Sequence, residues 1–368
     1  MLEFDFGKLA ALGLTPALAS QAVAIHSAAD GNGALRAMLV RITEVHRETV
    51  AFHDGDEESS ARILPRLLRA MMEGGTALAA GDWAIAAVDA FAQPWIAHRV
   101  PPASHIARRD AEGVRHPVVS NVDVAVLVMG LDDDFNPRRL ERFIALAHHE
   151  AILPLVVLTK ADVVPSPQLL DERIAVIRAR LPANIDVLAV DATHPAAEEA
   201  LRGYLVPGST LVMLGSSGAG KSTLTNTLMG ANVQDTGAVR LNDGRGKHTT
   251  TSRSLHRLPG GACVIDTPGV RTLRPDGDES ALAESFADIE MLAASCRFRD
   301  CRHGLEPGCA VREGVDTDRL RNYHKMQREV RRDTLTALER QRQVAQFKVR
   351  GRAVKAKMKW KRGEVRES

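Results

Sequence analysis

Residues 210–223 read TLVMLGSSGAGKST, an apolar run followed by a glycine-rich segment that matches GxxxxGK(S/T) from Gly215 to Ser222. Glycines let successive backbone N–H groups turn inward around phosphates, and the helix that follows adds its positive N-terminal dipole. In such a loop Lys221 contacts the β- and γ-phosphates and the Ser222 hydroxyl ligates Mg²⁺. The alternative is a glycine-rich strand-to-helix turn without a ligand. The predicted nucleotide contacts are Gly215, Ser216, Ser217, Gly218, Ala219, Gly220, Lys221, Ser222 and Thr223.

A second apolar run ends in an aspartate 44 residues after Ser222, where residues 263–269 read CVIDTPG. In phosphate-loop proteins an aspartate at the end of such a strand holds Mg²⁺, usually through water. We expect Asp266 in that role and the backbone N–H of Gly269 at the γ-phosphate. A buried strand that ends in a polar turn is the alternative for this segment alone.

The base is predicted from residues 155–162, which read LVVLTKAD. The Asp162 carboxylate at the end of a buried strand can accept hydrogen bonds from guanine N1–H and N2–H₂, which adenine lacks. Thr159 and Lys160 complete the motif, and the Lys160 stem can lie over the purine face. A solvated helix N-cap is the alternative. Residues 191–193, which read DAT, are a candidate for the small loop beneath the base.

The base-reading motif precedes the phosphate loop by more than 50 residues, whereas ordinary GTPases have the reverse order. A sheet can be closed from either chain start, because termini and loop tips tolerate relocation. The order therefore predicts a circularly permuted GTPase domain over residues 115–277. Strands and helices alternate through it, as in an α/β domain with a mostly parallel sheet. The predicted strands are 122–129, 155–158, 187–190, 209–214 and 263–266, and the predicted helices are 136–149, 171–180 and one from Gly220.

The N-terminal third has a different pattern. Residues 1–33 are weakly periodic and are interpreted as a poorly specified extension. Residues 34–103 contain about five short strand-like runs, typical of a small barrel of the oligonucleotide-binding (OB) type. A generic β subdomain fits the pattern equally well, and a polar linker is expected after Pro102. The assigned strand-like runs are 38–45, 48–52, 83–88 and 95–100.

Three of the four cysteines lie close together in the C-terminal third. Cys296, Cys301, His303 and Cys309 form the Cys₃His set of a closed structural zinc site. A redox thiol pair is the alternative. Four protein ligands leave no position for water, so we assign the site to folding rather than catalysis. It falls in a helical segment predicted over residues 278–345.

Composition excludes several classes. The 368 residues are 45% hydrophobic and 26% charged, as in an ordinary globular protein of two or three domains. The apolar runs are shorter than the ~18 residues of a membrane helix, and no secretory signal is evident. Four cysteines do not make a disulfide framework. The sequence predicts a soluble cytoplasmic protein that does not bind membranes, and without coiled-coil heptads we expect a monomer.

The combined motifs resemble the ribosome-small-subunit-dependent GTPase A family. The resemblance rests on the permuted order together with TKAD, GSSGAGKST, GRGKHTTT at 244–251, DTPGVR at 266–271 and FRDCRHGLEPGC at 298–309, and it spans about residues 37–343. It implies a multidomain α/β protein: an OB barrel, a permuted GTPase, and a helical zinc-binding domain. It also implies a late assembly factor of the small (30S) ribosomal subunit, with GTP/GDP, Mg²⁺ and one Zn²⁺, and slow hydrolysis stimulated by the subunit. Residues 191–193 depart from the family's usual Ser-Ala pair.

The catalytic group is less directly marked. A Ras-like enzyme presents a glutamine after the DTPG segment to orient the attacking water, but this chain has Val270 there. Unassisted turnover on the order of 10⁻⁴ s⁻¹ or slower is therefore expected. His248 in the presumed switch loop is the candidate replacement for the glutamine, and a surface histidine is the alternative. Thr250 of the same loop is the candidate Mg²⁺ ligand in the GTP-bound state.

The basic tail, residues 346–368, is a candidate nucleic-acid contact. Eight of the 48 Lys and Arg residues lie within 346–362, so the other 40 are outnumbered by 46 acids and the remainder has a net charge of −6. Such a tail favours contact with phosphates of 16S-type rRNA, although a solubilising tail is the alternative. Other small-subunit assembly factors are further candidate partners.

Three functions are alternatives to that of a small-subunit assembly GTPase. A non-enzymatic, GTP-switched rRNA-binding adaptor would lack multiple turnover. A permuted GTPase of the large subunit would not be expected to carry the barrel and the Cys₃His cluster. A phosphate-loop kinase is disfavoured by residues 159–162, which indicate guanine and a switch.

Overall fold

The computed structural model describes residues 2–29, 36–46, 48–109, 115–230, 253–267 and 279–333. Its first segment consists of β1 (Leu2–Glu3), α1 (Phe6–Ala10) and α2 (Pro16–Ala29). Leu9 and Leu12 are fully buried there. The prediction of a poorly specified extension is therefore wrong for residues 2–29. The apolar side chains are spread over two helices and the turn between them, so no single helical period reveals them.

The next segment is a five-stranded barrel, as predicted. It contains β2 (Arg36–Val45), β3 (Thr49–His53), β4 (Glu58–Ile63), α3 (Pro65–Glu73), β5 (Trp83–Val88) and β6 (Pro94–Arg99). The strands pair in the order β2–β3–β4–β6–β5, and β5 pairs with β2 to close the ring. Alternate side chains such as Val40, Ile42, Phe52 and Ile96 fill its interior. Strand β4 reads ESSARI, and only Ala61 in it is buried, which explains why no apolar alternation marks it.

A β-hairpin follows the barrel. It consists of β7 (His105–Arg109) and β8 (Arg115–Ser120), which pair in antiparallel orientation. The expectation of a polar linker after Pro102 is wrong here. Ile106 and Val119 are opposite one another and fully buried, while polar side chains alternate with them and hide the pattern.

The central α/β region is built around a mostly parallel sheet. Its elements are β9 (Val124–Gly130), α4 (Pro137–His149), β10 (Leu153–Thr159), α5 (Pro167–Arg178), β11 (Asp186–Ala189), α6 (Ala196–Leu201), β12 (Thr210–Leu214), α7 (Lys221–Met229), β13 (Ser254–Arg257) and β14 (Cys263–Asp266). The strand order is β11-β10-β9-β12-β14-β13, and only β13 runs antiparallel to its neighbour. Apolar clusters cover both faces, as expected for buried parallel strands. The carboxyl ends of β10, β12 and β14 therefore carry the three predicted motifs.

Local capping sets the helix starts. The Asn136 side chain accepts a hydrogen bond from the Arg139 N–H at 3.3 Å, and Pro137 occupies the first turn, so α4 begins where predicted. Helix α5 begins at Pro167, four residues before the predicted start. Ser166 caps it by accepting from the Leu169 N–H at 3.2 Å.

The C-terminal helices pack on α4. They are α8 (Glu279–Ser285), α9 (Ala287–Ala293), α10 (Ala310–Gly314) and α11 (Thr317–Asp333). Their core contains Phe286, Ile289 and Met326, together with Ala145 of α4. At the other end of the sheet, Ser254 of β13 pairs with Glu44 of β2 and connects the barrel to the α/β region. None of the described helices is long and apolar enough to cross a bilayer.

Candidate nucleotide site and metal centre

The glycine-rich loop lies between β12 and α7, and its glycines are required by geometry. A Cβ atom on Gly215 would lie 2.3 Å from the Val128 carbonyl oxygen of the adjacent strand. Gly220 has φ +92°, and a Cβ there would lie 3.1 Å from the Thr159 hydroxyl. Both positions therefore exclude a side chain, and the loop passes close to β9 and to Thr159 of the TKAD motif at the end of β10.

Lys221 begins α7 and is 6% exposed. Its Nζ donates hydrogen bonds to the carbonyl oxygens of Gly215 at 3.2 Å and Ser216 at 2.7 Å. Burial lowers the pKa of Lys221, while the nearby carboxylates of Asp266 and Asp134 oppose that shift. Among the described residues no carboxylate pairs with this ammonium group. Its charge is therefore available to a phosphate bound in the loop.

Ser222 and Asp266 form the candidate Mg²⁺ position. The Ser222 hydroxyl donates to Asp266 Oδ2 at 3.3 Å, across the ends of α7 and β14. Asp266 is 3% exposed, its Oδ1 has no hydrogen-bond partner in the described structure, and burial raises its pKa. A hydroxyl and a buried carboxylate with a free oxygen suit the oxygen-ligand preference of Mg²⁺. These residues therefore fit the ion that the sequence predicts.

The residues of the TKAD motif have different roles in the structure. The Thr159 hydroxyl donates to the Ala219 carbonyl oxygen at 2.6 Å, so it connects this motif to the phosphate loop. Lys160 adopts φ +60°, and its Nζ lies 2.5 Å from Asp132. Asp162 lies in a 3₁₀ turn (Ala161–Val163), is exposed, and has no hydrogen bond to its carboxylate in the described part of the chain. Of the three polar side chains of this motif, only that of Asp162 therefore has no partner among the described residues, and its contact with a base stays a prediction.

The third predicted loop lies beside the TKAD motif. The Asp191 carboxylate accepts from the N–H and hydroxyl of Thr193 at 2.8 and 2.6 Å, and these bonds lower the Asp191 pKa. The Thr227 hydroxyl of α7 donates to the Ala192 carbonyl oxygen at 2.6 Å. The loop is thereby attached to the helix that follows the phosphate loop. Its contact with a base stays a prediction.

The segment between β9 and α4 was missed by sequence reasoning. Asp134 accepts a hydrogen bond from the Ser216 hydroxyl at 2.5 Å and pairs with Arg139 at 2.7 Å. Asp132 holds Lys160, as described above. The run of three aspartates at 132–134, between a buried strand and a helix cap, is the signal that would have identified this segment.

The cysteine–histidine cluster has the geometry of a tetrahedral site. Its four candidate ligand atoms lie within 4.8 Å of one another. His303 Nδ1 is 3.6 Å from the Sγ atoms of both Cys296 and Cys309, which are 4.0 Å apart. Zinc bonds of about 2.0 and 2.3 Å give tetrahedral edges of about 3.6 Å for N to S and about 3.8 Å for S to S. The residues therefore fit zinc, with Cys301 as the candidate fourth ligand.

The surroundings act on two thiols of the cluster in opposite directions: against the opposing effect of the His303 backbone, burial and hydrogen bonds with Cys309 and Cys296 raise the pKa of Cys301 to about 11. The backbone N–H groups of Val311 and Ala310 lower the pKa of Cys296. The Arg312 N–H donates to the Cys309 sulfur at 3.4 Å, at the start of α10. At Cys296, these N–H donors stabilise the charged form that binds a metal. The helix start and the zinc ligand thus depend on the same residue.

Several predicted site residues lie outside the described residues. They are His248, Thr250, Gly269 and Val270 of the catalytic prediction and the basic tail at 346–368. Their roles stay predictions.

Comparison with known proteins gives a consistent result. Residues 100–275 match the family model described as RsgA GTPase. Curated relatives from Xanthomonas oryzae pv. oryzae (strain MAFF 311018) and Xanthomonas campestris pv. campestris (strain B100) are each 43% identical over 303 residues. The alignment covers 80% of this chain and 81% of each relative, and both are named small ribosomal subunit biogenesis GTPase RsgA.

Two solved structures share the fold. The crystal structure of YjeQ from Thermotoga maritima has a TM-score of 0.58 and 23% identity, and the match covers 80% of this chain and 98% of that one. YloQ, described as a circularly permuted GTPase, has a TM-score of 0.56 and 20% identity, with 83% and 98% covered. The predicted permuted architecture is confirmed.

Proposed function

The chain belongs to the RsgA GTPase family, and on that premise we propose that it is a GTP hydrolase that assists maturation of the small ribosomal subunit. The observation that carries the proposal is the convergence of Lys221, Ser222 and Asp266 at one edge of the sheet, with the free carboxylate of Asp162 just beyond the end of β10, which β9 separates from β12. This is the donor and acceptor set of a guanine nucleotide site with Mg²⁺.

The proposed roles follow from the contacts of each residue. Lys221 would leave the loop carbonyls for the β- and γ-phosphates, and Ser222 and Asp266 would hold Mg²⁺, which neutralises charge between those phosphates. Asp162 would accept from guanine, and Thr159 would keep the two motifs in register through Ala219. The remaining loop residues from Gly215 to Thr223 and the Gly269 N–H complete the proposed set.

Hydrolysis is assigned to the switch segment. We propose that His248 orients the attacking water, because Val270 cannot hydrogen-bond to it. We also propose that Thr250 contacts Mg²⁺ when GTP is bound. Binding of the small subunit would order this segment and thereby stimulate hydrolysis. A thousandfold increase in rate corresponds to about 4 kcal/mol of transition-state stabilisation, which ordered side chains can provide.

The domain roles are proposed on the same premise. Residues 34–103 and the tail at 346–368 would contact rRNA, residues 115–277 would bind GTP or GDP, and residues 278–345 would hold one structural zinc. Within the N-terminal segment 1–33, the described residues 2–29 would belong structurally to the barrel and the sheet, because β1 pairs with β2. We place the protein in the cytoplasm as a monomer, with the small subunit as its partner.

GTP turnover tests the proposal. The purified protein is assayed alone, with small subunits and with large subunits, and Lys221→Ala provides the inactive reference. We expect slow basal turnover, stimulation by small subunits only, and no turnover in the variant. Stimulation by large subunits would indicate a different assembly role. Binding of GTP without multiple turnover would favour the non-enzymatic adaptor.

A further inference from the structure

A strongly basic groove lies between helix α4 of the GTPase domain and helix α11 of the C-terminal domain. It has a volume of about 830 Å³, and of the twelve described residues that line it, seven are Arg or Lys and none is Asp or Glu. The whole chain carries a net charge of only +2, so this concentration of cations is local. None of these twelve residues belongs to the nucleotide loop or to the candidate zinc ligands, although Arg302 lies between Cys301 and His303 in the sequence.

The cations of the groove fall into two sets. Arg138, Arg139 and Arg142 of α4 are paired with carboxylates at its border, namely Asp318, Asp134 and Glu329. The other four belong to α11 or to the cysteine–histidine loop. They are exposed and have no ion pair in the described structure: Arg302, Arg321, Lys325 and Arg328. Charges that fold stability does not use are therefore presented to solvent in a concave surface.

The spacing of this second set suits an extended polyanion. Positions 321, 325 and 328 lie on one face of α11, separated by about 6 and 4.5 Å along the helix axis. Three cations in a row over about 10 Å match a chain of phosphates better than one compact anion. Arg302 extends the row from the cysteine–histidine loop, because it lines the same groove as these residues of α11.

The remaining lining residues indicate which contacts the groove can make with an extended polyanion. Phe143 is the one Phe, Tyr or Trp in the lining, so stacking with bases contributes little. Asn136 and Gln327 supply amides that can hydrogen-bond sugar hydroxyls and phosphates. The groove is concave rather than flat, which favours a rod-like backbone over a membrane surface.

We propose that this groove binds the sugar–phosphate backbone of folded RNA in the small ribosomal subunit, held by Arg302, Arg321, Lys325 and Arg328. The inference rests on the proposed function, because it takes the small subunit as the partner. It adds a sequence-independent docking surface formed jointly by the GTPase and C-terminal domains. RNA in the groove would touch α4, whose Arg139 pairs with Asp134, the acceptor of the Ser216 hydroxyl of the phosphate loop.

The test uses the full-length protein with a non-hydrolysable GTP analogue. The variant Arg321→Ala/Lys325→Ala/Arg328→Ala removes three exposed cations with little effect on helix formation. The control Arg178→Ala/Arg202→Ala/Arg257→Ala removes the same charge from exposed positions outside the groove. Affinity for purified small subunits and for naked small-subunit rRNA is measured over a range of salt concentrations.

We expect the groove variant to bind both probes at least tenfold more weakly than the control at moderate salt. The slope of log K against log salt should also decrease by about 2 to 3, as for three lost phosphate contacts. Equal affinity and slope in variant and control would overturn the proposal. Weakened binding to subunits with unchanged binding to naked rRNA would also overturn it, and would assign the groove to a ribosomal protein.

Basal and subunit-stimulated GTP turnover separate this proposal from the proposed function. Both variants should keep the basal rate, because the substituted residues do not contact the nucleotide site. If the wild-type protein is not stimulated by small subunits, the proposed function fails. If it is stimulated and the groove variant binds normally, only the groove assignment fails.

Discussion

The Ser216 hydroxyl donates a hydrogen bond to Asp134 at 2.5 Å and thereby joins the phosphate loop to the segment that precedes α4. The same carboxylate pairs with Arg139 at 2.7 Å, and Arg139 lines the basic groove. Three side chains therefore form a continuous set of contacts from the groove to the phosphate loop. The Ser216 and Arg139 hydrogen bonds both go to the Asp134 carboxylate, and its charge makes each of them stronger than a neutral hydrogen bond.

The first prediction concerns this contact. Asp134→Asn keeps the shape of the side chain but removes its charge. A hydrogen bond to a charged group contributes about 1.5–3 kcal/mol of stabilisation, which the variant would lose in part. We expect subunit-stimulated GTP turnover to fall about tenfold or more, while affinity for the subunit changes less than twofold. Asp133→Asn is the matched control, since Asp133 is exposed and has no ion pair in the described structure. Normal stimulation in Asp134→Asn would show that the contact is only structural.

The second prediction concerns base selection. Asp162→Asn replaces one carboxylate oxygen with an NH₂ donor, so one of the guanine N1–H and N2–H₂ groups faces another donor and GTP affinity should fall at least a hundredfold. Xanthine carries a carbonyl oxygen at position 2, which the amide can meet as a donor, so the variant should gain affinity for XTP. Fluorescent nucleotide titration measures both, with Asp171→Asn on exposed α5 as the control. An unchanged preference for GTP over XTP would remove Asp162 from the base site.

The sequence was most informative at positions where local geometry permits only one or a few residue types. The glycines at 215 and 220, the Asn136-Pro137 helix start and the Cys₃His spacing are each required by local geometry, so their positions could be predicted. Apolar runs such as β14 likewise fixed the buried strands, because parallel strands covered on both faces lack polar alternation.

The structure differs from the prediction where long-range pairing decides. Strand β4 carries mostly polar side chains and is held by its neighbours in the barrel. The hairpin of β7 and β8 and the helices of residues 2–29 bury apolar side chains against elements distant in sequence. The role of Asp134 depends on a partner 82 residues away, which no local pattern contains. Tertiary contacts override local propensity in each case.

The third prediction concerns zinc. Elemental analysis of the purified protein should find one zinc ion per chain, and Cys309→Ser should lose it. Because Cys309 also caps α10, we expect the C-terminal helices to become sensitive to protease. Cys263→Ala is the control: this cysteine is buried in β14, away from the cluster, and its loss should leave the zinc content unchanged. Zinc retained at full occupancy in Cys309→Ser would contradict the assignment of that ligand.

The last prediction concerns the buried ion pair that attaches the C-terminal helices to α4. Arg319 of α11 donates to Glu141 of α4 at 2.8 Å, and the two side chains are only 4% and 1% exposed. Removing one partner of a buried pair leaves an uncompensated charge and typically costs 3–5 kcal/mol. We expect Arg319→Met to be near the lower end, about 3 kcal/mol, because Arg180 lies 3.6 Å from the same carboxylate.

The sign of its pH dependence follows from Glu141. Burial raises the pKa of Glu141 above its ordinary value of 4.5, and loss of Arg319 would raise that pKa further. A carboxyl group with a raised folded pKa favours folding below its unfolded pKa, and this contribution is lost as the pH rises through the folded pKa. The deficit of Arg319→Met should therefore be largest near pH 7.5 and shrink as the pH falls toward 4.5. Amide hydrogen exchange in α11 measures it, and about 3 kcal/mol corresponds to roughly a hundredfold faster exchange. Glu141→Gln/Arg319→Met should recover most of the protection at pH 7.5, and a deficit that persists in this double variant would refute the uncompensated charge as its cause.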